Sequence, residues 1–417
     1  MANLIINGGN SLSGSVKLQG SKNSALPILA ACAAVDGVSV IHNCPDLTDV
    51  TAAINILTCI GCKVSREGST VIVDSTSANE FRVPEKLMHE MRSSIIFLGA
   101  LLARFGRCRV TAPGGCEIGL RPIDLHLSSL RSLGAEIKEQ GGFLECRAEK
   151  MKGCTVTLAF PSVGATENIM LASIGADGET VINNAAREPE IEDLAAFLSK
   201  CGAKIEGAGQ SVIRISPPKT LNAAEHKVIP DRIVASTYIA AVACATGKVA
   251  IKEINVEHIA PVLPAFEAAG ISMEFKGNEL LVSSFSRPER IKLIRTMPYP
   301  GFPTDSQAIL MAVAAKARGT SVITEKIFEN RFRHVPELIK MGADIRVEDG
   351  SVAVVEGVEN LHGATVSATD LRGGCALAIA ALGANGKTVI EDIYHIDRGC
   401  EGFEKNLCEL GADIIRA

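Results

Sequence analysis

The sequence predicts an α/β protein made of six copies of one unit, grouped as two domains of three units each. Three observations carry this. A helical pattern ending in a small–Gly step and a short β pattern recurs as LTCIGCKV (57–64), RSLGAEI (131–137), SKCGAKI (199–205), EAAGISM (267–273), KMGADI (340–345) and CELGADI (408–414), with glycines about seventy residues apart. A second step recurs out of phase: an Ala-rich helix, a glycine and a β-branched strand, with Gly37, Gly106, Gly178, Gly247, Gly319 and Gly386 at the junctions. Finally, 417 residues at 47% hydrophobic is more core than one layer system closes.

The elements follow in order. In the first unit, SKNSALP (21–27) opens an Ala-rich helix, Gly37 stops it, and VSVI runs on as a strand. A second helix ends at Gly61, and further strands follow, including STVIVD (69–74). Glycine just past a helix supplies the left-handed backbone from which a strand can start at once. Units two to five repeat this order. The sixth ends at Ala417, directly after its GADII strand, so its missing strands are assigned to NLIING (3–8) and SGSVKLQG (13–20). The domains are then 21–229, and 1–20 with 230–417. The chain crosses between them twice, near 21 and near 229, a double-crossover hinge expected to favour opening and closing over a cleft.

Composition limits the function. Net charge is −5, which argues against a nucleic-acid or anionic-membrane binder, since both need a broad cationic field. The longest apolar runs, such as 94–103, are too short to span a bilayer, so no membrane insertion is expected. MANLIINGG (1–9) lacks the features of a secretory leader, and the thirteen cysteines are read as reduced thiols of a cytoplasmic protein.

The first helix of each unit starts at GSKNSALP (20–27), HEMRSSI (89–95), PSVGATEN (161–168), IPDRIVAS (229–236), FPTDSQAI (302–309) and SATDLRGG (367–374). Equivalent positions in a quasi-symmetric domain share a face, and helix N-termini favour anions there. Asp231, Asp305 and Asp370 add carboxylates, and each taken alone reads more readily as an ordinary N-cap. Lys22, Arg92, Arg232 and Arg372 add cations, and Lys22, Arg92 and Arg372 are less easily read as structural, because the dipole disfavours cations at that end. Such a local gathering of cations reconciles an acidic chain with an anionic ligand.

TAPGGCEIGLRPIDLH (111–126) places Cys116 on a Gly- and Pro-rich loop ahead of a helix. A neighbouring guanidinium such as Arg121 would raise its thiolate fraction; a packed cysteine in a turn remains the alternative. Cys59 and Cys62 form a lone C-x-x-C, with Cys62 in the slot held by Ala135, Ala203 and Ala343, and are read as packing. No second pair has zinc spacing, and no metal or cofactor is expected. GGNSLSG lacks the strand–turn–helix context of a dinucleotide fingerprint. ENRFRHVPEL (329–338) and YHIDRGCEGF (394–403) set Arg and His before a second helix, as site residues or as surface caps. His126 is read as a packing residue.

SKNSALPILAA, PGGCEIGLRPIDLH, SVGATENIM, NAAREPEI, PDRI, FPTD, ITEKIFENRF and IYHIDRG together resemble the UDP-N-acetylglucosamine 1-carboxyvinyltransferases over essentially the whole chain. The resemblance implies the enolpyruvyl transferase fold, two inside-out α/β domains of three quasi-repeats. It also implies a reaction, the addition–elimination of phosphoenolpyruvate onto the 3′-hydroxyl of UDP-N-acetylglucosamine with loss of phosphate. That reaction is the first committed step of peptidoglycan synthesis, so roles in cell-wall biogenesis, cell shape, cell cycle and division follow. Under the resemblance Cys116 is the general acid at C3, forms an adduct with phosphoenolpyruvate and is alkylated by fosfomycin. Asp305 is base or orienter for the sugar hydroxyl; Lys22, Arg121 and Arg398 hold the phosphoenolpyruvate anions. Asn23, Arg92, Arg121, Pro122, Ile123, Asp124, Leu125, Ser162, Val163, Gly164, Ile327 and Arg331 match the substrate-binding side. Asp370 and Arg372 match residues tied to the intermediate and to closure. One departure is Phe160-Pro161 ahead of Ser162, where some members carry Lys-Val. The competing readings are the shikimate 3-phosphate enolpyruvyl transferase, which lacks the cysteine loop, and a silent nucleotide-sugar sensor. A sensor has no reason to keep Lys22, Cys116, Asp305 and Arg398 together.

Overall fold

The computed structural model describes residues 2–112 and 123–417. All twelve glycines of the two repeated steps have positive φ. Gly106 illustrates the need: at φ 63° it caps Phe97–Phe105, its N–H reaches the Leu102 carbonyl, and a Cβ there would stand 2.8 Å from the Ala148 carbonyl oxygen. Only glycine fits the turn on both counts.

Two compact units result, the first of residues 20–112 with 123–229 and the second of residues 2–19 with 230–417. Each has its own apolar core, built from three buried helices that touch one another and three sheets. In one unit these helices are Lys22–Ala34, Phe97–Phe105 and Val163–Ser173; in the other, Arg232–Ala245, Gln307–Lys316 and Leu371–Leu382. Every residue of Arg232–Ala245 is buried, and all of Lys22–Ala34 except Asn23. A helix covered on all sides needs no polar stripe. Small side chains let these helices close up, which is why a chain with 38 Gly and no Trp packs well.

One cation closes the other end of the second unit's helices. Lys316 Nζ donates to the carbonyls of Cys244 (3.0 Å) and Gly383 (2.6 Å), joining the C-terminal ends of all three. This satisfies end carbonyls and complements the negative dipole ends.

The sheets interlock in sequence. Five of the six combine three antiparallel strands with one parallel edge strand contributed by the preceding repeat. In the remaining one, Arg107–Thr111 with Phe143–Arg147 and Glu136–Gln140, that edge strand shrinks to a single parallel bridge, Arg82 to Arg109. Glu225–Lys227, at the end of the third repeat, returns to pair with Val38–His42 of the first, so the ring of three is closed.

The N-terminal segment completes the sixth repeat with the two strands that repeat lacks at its own end. Leu4–Asn7 lies antiparallel between Lys387–Glu391 and Asp413–Arg416. Leu12–Lys17 pairs in parallel with Gly247–Lys252, so it is the edge strand that the sixth repeat contributes to the sheet of the fourth, as Glu225–Lys227 of the third repeat does for the first.

Candidate active site

In the second unit the starts of the three buried helices bring charges together. Asp231 and Asp370 are the N-caps that the sequence allowed. Asp231 accepts from Ile233 N (2.8 Å) and Val234 N (3.0 Å); Asp370 accepts from Arg372 N (2.9 Å) and Gly373 N (3.2 Å). Asp305 is different. It lies in the 3-10 turn Thr304–Ser306 ahead of Gln307–Lys316, and its Oδ1 accepts from Arg331 Nη2 (2.8 Å) and Arg372 Nε (3.2 Å). Among the described residues nothing takes Oδ2, and the side chain keeps 31% exposure.

Burial works against ionisation of Asp305, but the Arg372, Arg331 and Arg232 guanidiniums outweigh it and hold the carboxyl well below the usual range. Burial likewise opposes the charge on Asp370, and Arg331, His334 and the Gly373 and Arg372 N–H groups reverse the balance. Arg372 is held above its ordinary value: burial disfavours its charge, and Asp305 and Asp231 more than compensate. Within this unit Arg232 and Arg372 therefore stand at the helix starts together with Asp231 and Asp305.

Arg331 is almost wholly buried. It donates to the Thr304 carbonyl as well as to Asp305, and Nη1 lies 3.9 Å from Asp370 Oδ1. Its contacts are therefore with the protein's own carboxylates and carbonyl. Ile327 and Arg398 are half-buried, Ile327 in the loop after Gly319–Thr324 and Arg398 at the end of Tyr394–Asp397.

In the first unit Lys22 opens the helix Lys22–Ala34 and is buried, its Nζ 3.1 Å from Asp49 Oδ2. Asp49 sits in the first turn of Thr48–Cys59, where the helix dipole favours its negative charge. A buried ammonium at a helix N-terminus meets both a desolvation cost and an unfavourable dipole, and Asp49 offsets them. Asn23, the next residue, is half-buried, and so is Arg92, which opens the 3-10 turn Arg92–Ile96. That turn packs on both Lys22–Ala34 and Val163–Ser173.

Ser162 caps Val163–Ser173 by accepting from Ala165 N (3.3 Å), and the half-buried Val163 and Gly164 follow in the first turn of that helix. Asp124 is exposed at the start of Asp124–Ser132, with Ile123 and Leu125 half-buried around it. His126 is a packing residue: it is buried, its Nδ1 lies 2.7 Å from Asn168 Nδ2, and a Cβ on Gly164 would meet its ring at 3.0 Å. Cys62 is buried and its thiol is pushed up to about 11 by burial, which fits packing rather than chemistry. Cys116, Arg121 and Pro122 lie outside the described residues. Among the described residues no cluster of His, Cys, Asp or Glu could hold a metal ion, and no helix is long and apolar enough to cross a membrane.

Two closed three-sheet units, each presenting charged helix starts, are the architecture of the enolpyruvyl transferases. The family model described as EPSP synthase (3-phosphoshikimate 1-carboxyvinyltransferase) matches residues 6–407. The crystal structure of the enolpyruvyl transferase NikO from Streptomyces tendae superposes with a TM-score of 0.90 at 27% identity, covering 100% of this chain and 99% of that one. An EPSP synthase from Acinetobacter baumannii shares the fold, with a TM-score of 0.75 at 18% identity over the whole of both chains. The sequence is 50% identical, over 100% of both chains, to UDP-N-acetylglucosamine 1-carboxyvinyltransferase 2 of Caldanaerobacter subterraneus subsp. tengcongensis. It is 46% identical, over 100% of this chain and 99% of the relative, to UDP-N-acetylglucosamine 1-carboxyvinyltransferase of Geobacter metallireducens. The chain belongs to the UDP-N-acetylglucosamine 1-carboxyvinyltransferase family and is a transferase.

Proposed function

We propose that this enzyme transfers the enolpyruvyl group of phosphoenolpyruvate to the 3′-hydroxyl of UDP-N-acetylglucosamine and releases phosphate. The sugar oxygen bonds to C2 of phosphoenolpyruvate while C3 takes a proton. The C2–O bond to phosphate then breaks as C3 loses a proton, leaving an enol ether. This places the enzyme in peptidoglycan biosynthesis in the cytoplasm, with the consequent links to cell-wall biogenesis, cell shape and cell division.

The observation that carries the reading is Asp305, with Oδ1 anchored by Arg331 and Arg372 and Oδ2 left for a hydroxyl. A carboxylate held so far down is a weak base, so it first accepts a hydrogen bond from the sugar hydroxyl. It takes the proton only as the O–C2 bond forms and that oxygen turns acidic. Lys22, Arg121 and Arg398 are the proposed clamp for the phosphoenolpyruvate phosphate and carboxylate, with Cys116 supplying the C3 proton and forming the pyruvate adduct. Asn23, Arg92, Arg121–Leu125, Ser162–Gly164 and Ile327 are the proposed nucleotide-sugar contacts. Arg331, through its hold on Asp305 and Asp370, supports that side. With Phe160-Pro161 in place of a Lys-Val, the pyrophosphate would rely more on backbone N–H groups.

The test is phosphate release on mixing phosphoenolpyruvate with UDP-N-acetylglucosamine and, separately, with shikimate 3-phosphate. Release with the first acceptor alone supports the reading; binding without turnover would overturn it. Asp305→Ala is expected to lower kcat by about 10²–10⁴ with far less loss of binding. Equal loss in both would make Asp305 a residue that only positions the sugar. Fosfomycin should label the wild type at Cys116, whereas Cys116→Asp should keep activity and escape labelling, as a carboxylic acid still donates a proton. Labelling of that variant would refute the thiol's role.

A further inference from the structure

Glu325 is a buried carboxylate in ITEKIFENRF that the reaction above does not use. It is 3% exposed and accepts four hydrogen bonds. Oε1 takes the Thr296 hydroxyl (2.9 Å) and the N–H groups of Ile327 (2.7 Å) and Phe328 (3.1 Å); Oε2 takes the Thr304 hydroxyl (3.0 Å). Thr296 Oγ1 in turn accepts from Lys326 N (2.8 Å). All four partners donate to the carboxylate; an amide in its place removes the charge from every one of these bonds and turns an NH2 toward the Thr304 hydroxyl, which then has to accept rather than donate.

The segments it joins are far apart in sequence. Thr304 immediately precedes Asp305 in the 3-10 turn, and its carbonyl accepts from Arg331, the guanidinium that also grips Asp305 Oδ1. Ile327 lies in the loop on the other arm. Thr296 follows the strand Leu293–Arg295 and forms a bridge with Phe302 at the start of the same turn. One carboxylate therefore fixes both the turn that aims Asp305 and the loop that presents Ile327.

We infer that Glu325 is a positioning residue for the acceptor sugar, holding Asp305 and Ile327 in one register so that the nucleotide sugar and its reacting hydroxyl are placed together. The inference rests on the assignment of Asp305 and Ile327 to the nucleotide-sugar side. It makes a selective claim: both arms of Glu325 serve the acceptor, neither serves the phosphoenolpyruvate clamp.

Steady-state kinetics of the full-length enzyme with both substrates varied, alongside thermal melting, test it. Glu325→Gln is expected to raise KM for UDP-N-acetylglucosamine and lower kcat, a combined loss in kcat/KM of at least about tenfold. KM for phosphoenolpyruvate should stay within about twofold. Thr304→Val cuts only the arm to Asp305, so it should lower kcat with a smaller change in acceptor KM; Thr304→Ser, which keeps the hydroxyl, should restore wild-type rates. A melting loss in Glu325→Gln with both kcat/KM values unchanged below the transition would overturn the inference, as would equal losses for the two substrates. Should Glu325→Gln not fold, the Thr304 pair decides alone: equal rates for Val and Ser overturn it. Failure of the wild type to convert this substrate pair would instead count against the proposed function.

Discussion

His334 shows how far one buried side chain is shaped by its charged neighbours. It is fully buried between Arg331 and Asp370, and its ring is lowered from 6.5 to about 4, first by burial and then by Arg331, with Asp370 pulling the other way. The folded protein therefore binds that proton less readily than the unfolded chain. Stability from this group is fully present above about pH 6.5 and is lost as pH falls toward about 4. The loss is expected to reach about 3 kcal/mol at the acid end. Urea unfolding across that window should show the slope in the wild type and a shallower one in His334→Gln. Identical slopes would mean His334 does not titrate as its burial requires. Asp305, held low by three guanidiniums, titrates below this window and stays charged through it.

At the scale of elements, contacts between buried helices set the tolerance to change. Gly99 in Phe97–Phe105 faces Val163–Ser173, where Asn168 Oδ1 accepts from Gly99 N (2.7 Å) and Asn168 Nδ2 donates to the Ile95 carbonyl (3.0 Å). Gly99 has no positive φ, so helix propensity alone would favour alanine there by about 1 kcal/mol. A Cβ, however, would lie 2.4 Å from the Asn168 carbonyl oxygen, a backbone atom that cannot swing away. The clash wins: Gly99→Ala is expected to destabilise by about 1–3 kcal/mol, read as a lower Tm, and an unchanged or raised Tm would count against this packing. Such positions explain what the sequence reveals and what it hides. The helix–glycine–strand steps are local, so they were readable as a period, and the six sheets follow from them. Asp231 and Asp370 were readable as caps for the same reason. Glu325 and Asp49 were not, because nothing near either in sequence signals its partner: Thr304 is 21 residues from Glu325, and Lys22 is 27 residues from Asp49. The roles proposed for Cys116 and Arg398 rest on resemblance to a family, because local pattern does not specify them.

For the whole molecule, closure of the sheets gives the chain ends a structural duty. Leu4–Asn7 is not an edge strand; it sits between Lys387–Glu391 and Asp413–Arg416 and is hydrogen-bonded on both sides. Leu4 and Ile6 are fully buried in the core of that unit, which shares no cluster with the core of residues 25–228. Removing a middle strand strands its two neighbours and exposes apolar surface, a larger loss than fraying an edge. Deletion of residues 2–9 should therefore disrupt the unit containing Leu371–Leu382 while leaving the other unit's core formed. Hydrogen exchange resolved by segment reads this directly: protection should fall in Arg232–Ala245, Gln307–Lys316 and Leu371–Leu382 and persist in Lys22–Ala34 and Val163–Ser173. Uniform loss across both sets would show that the two cores fold as one cooperative body, and uniform retention would show that the sixth sheet does without its middle strand.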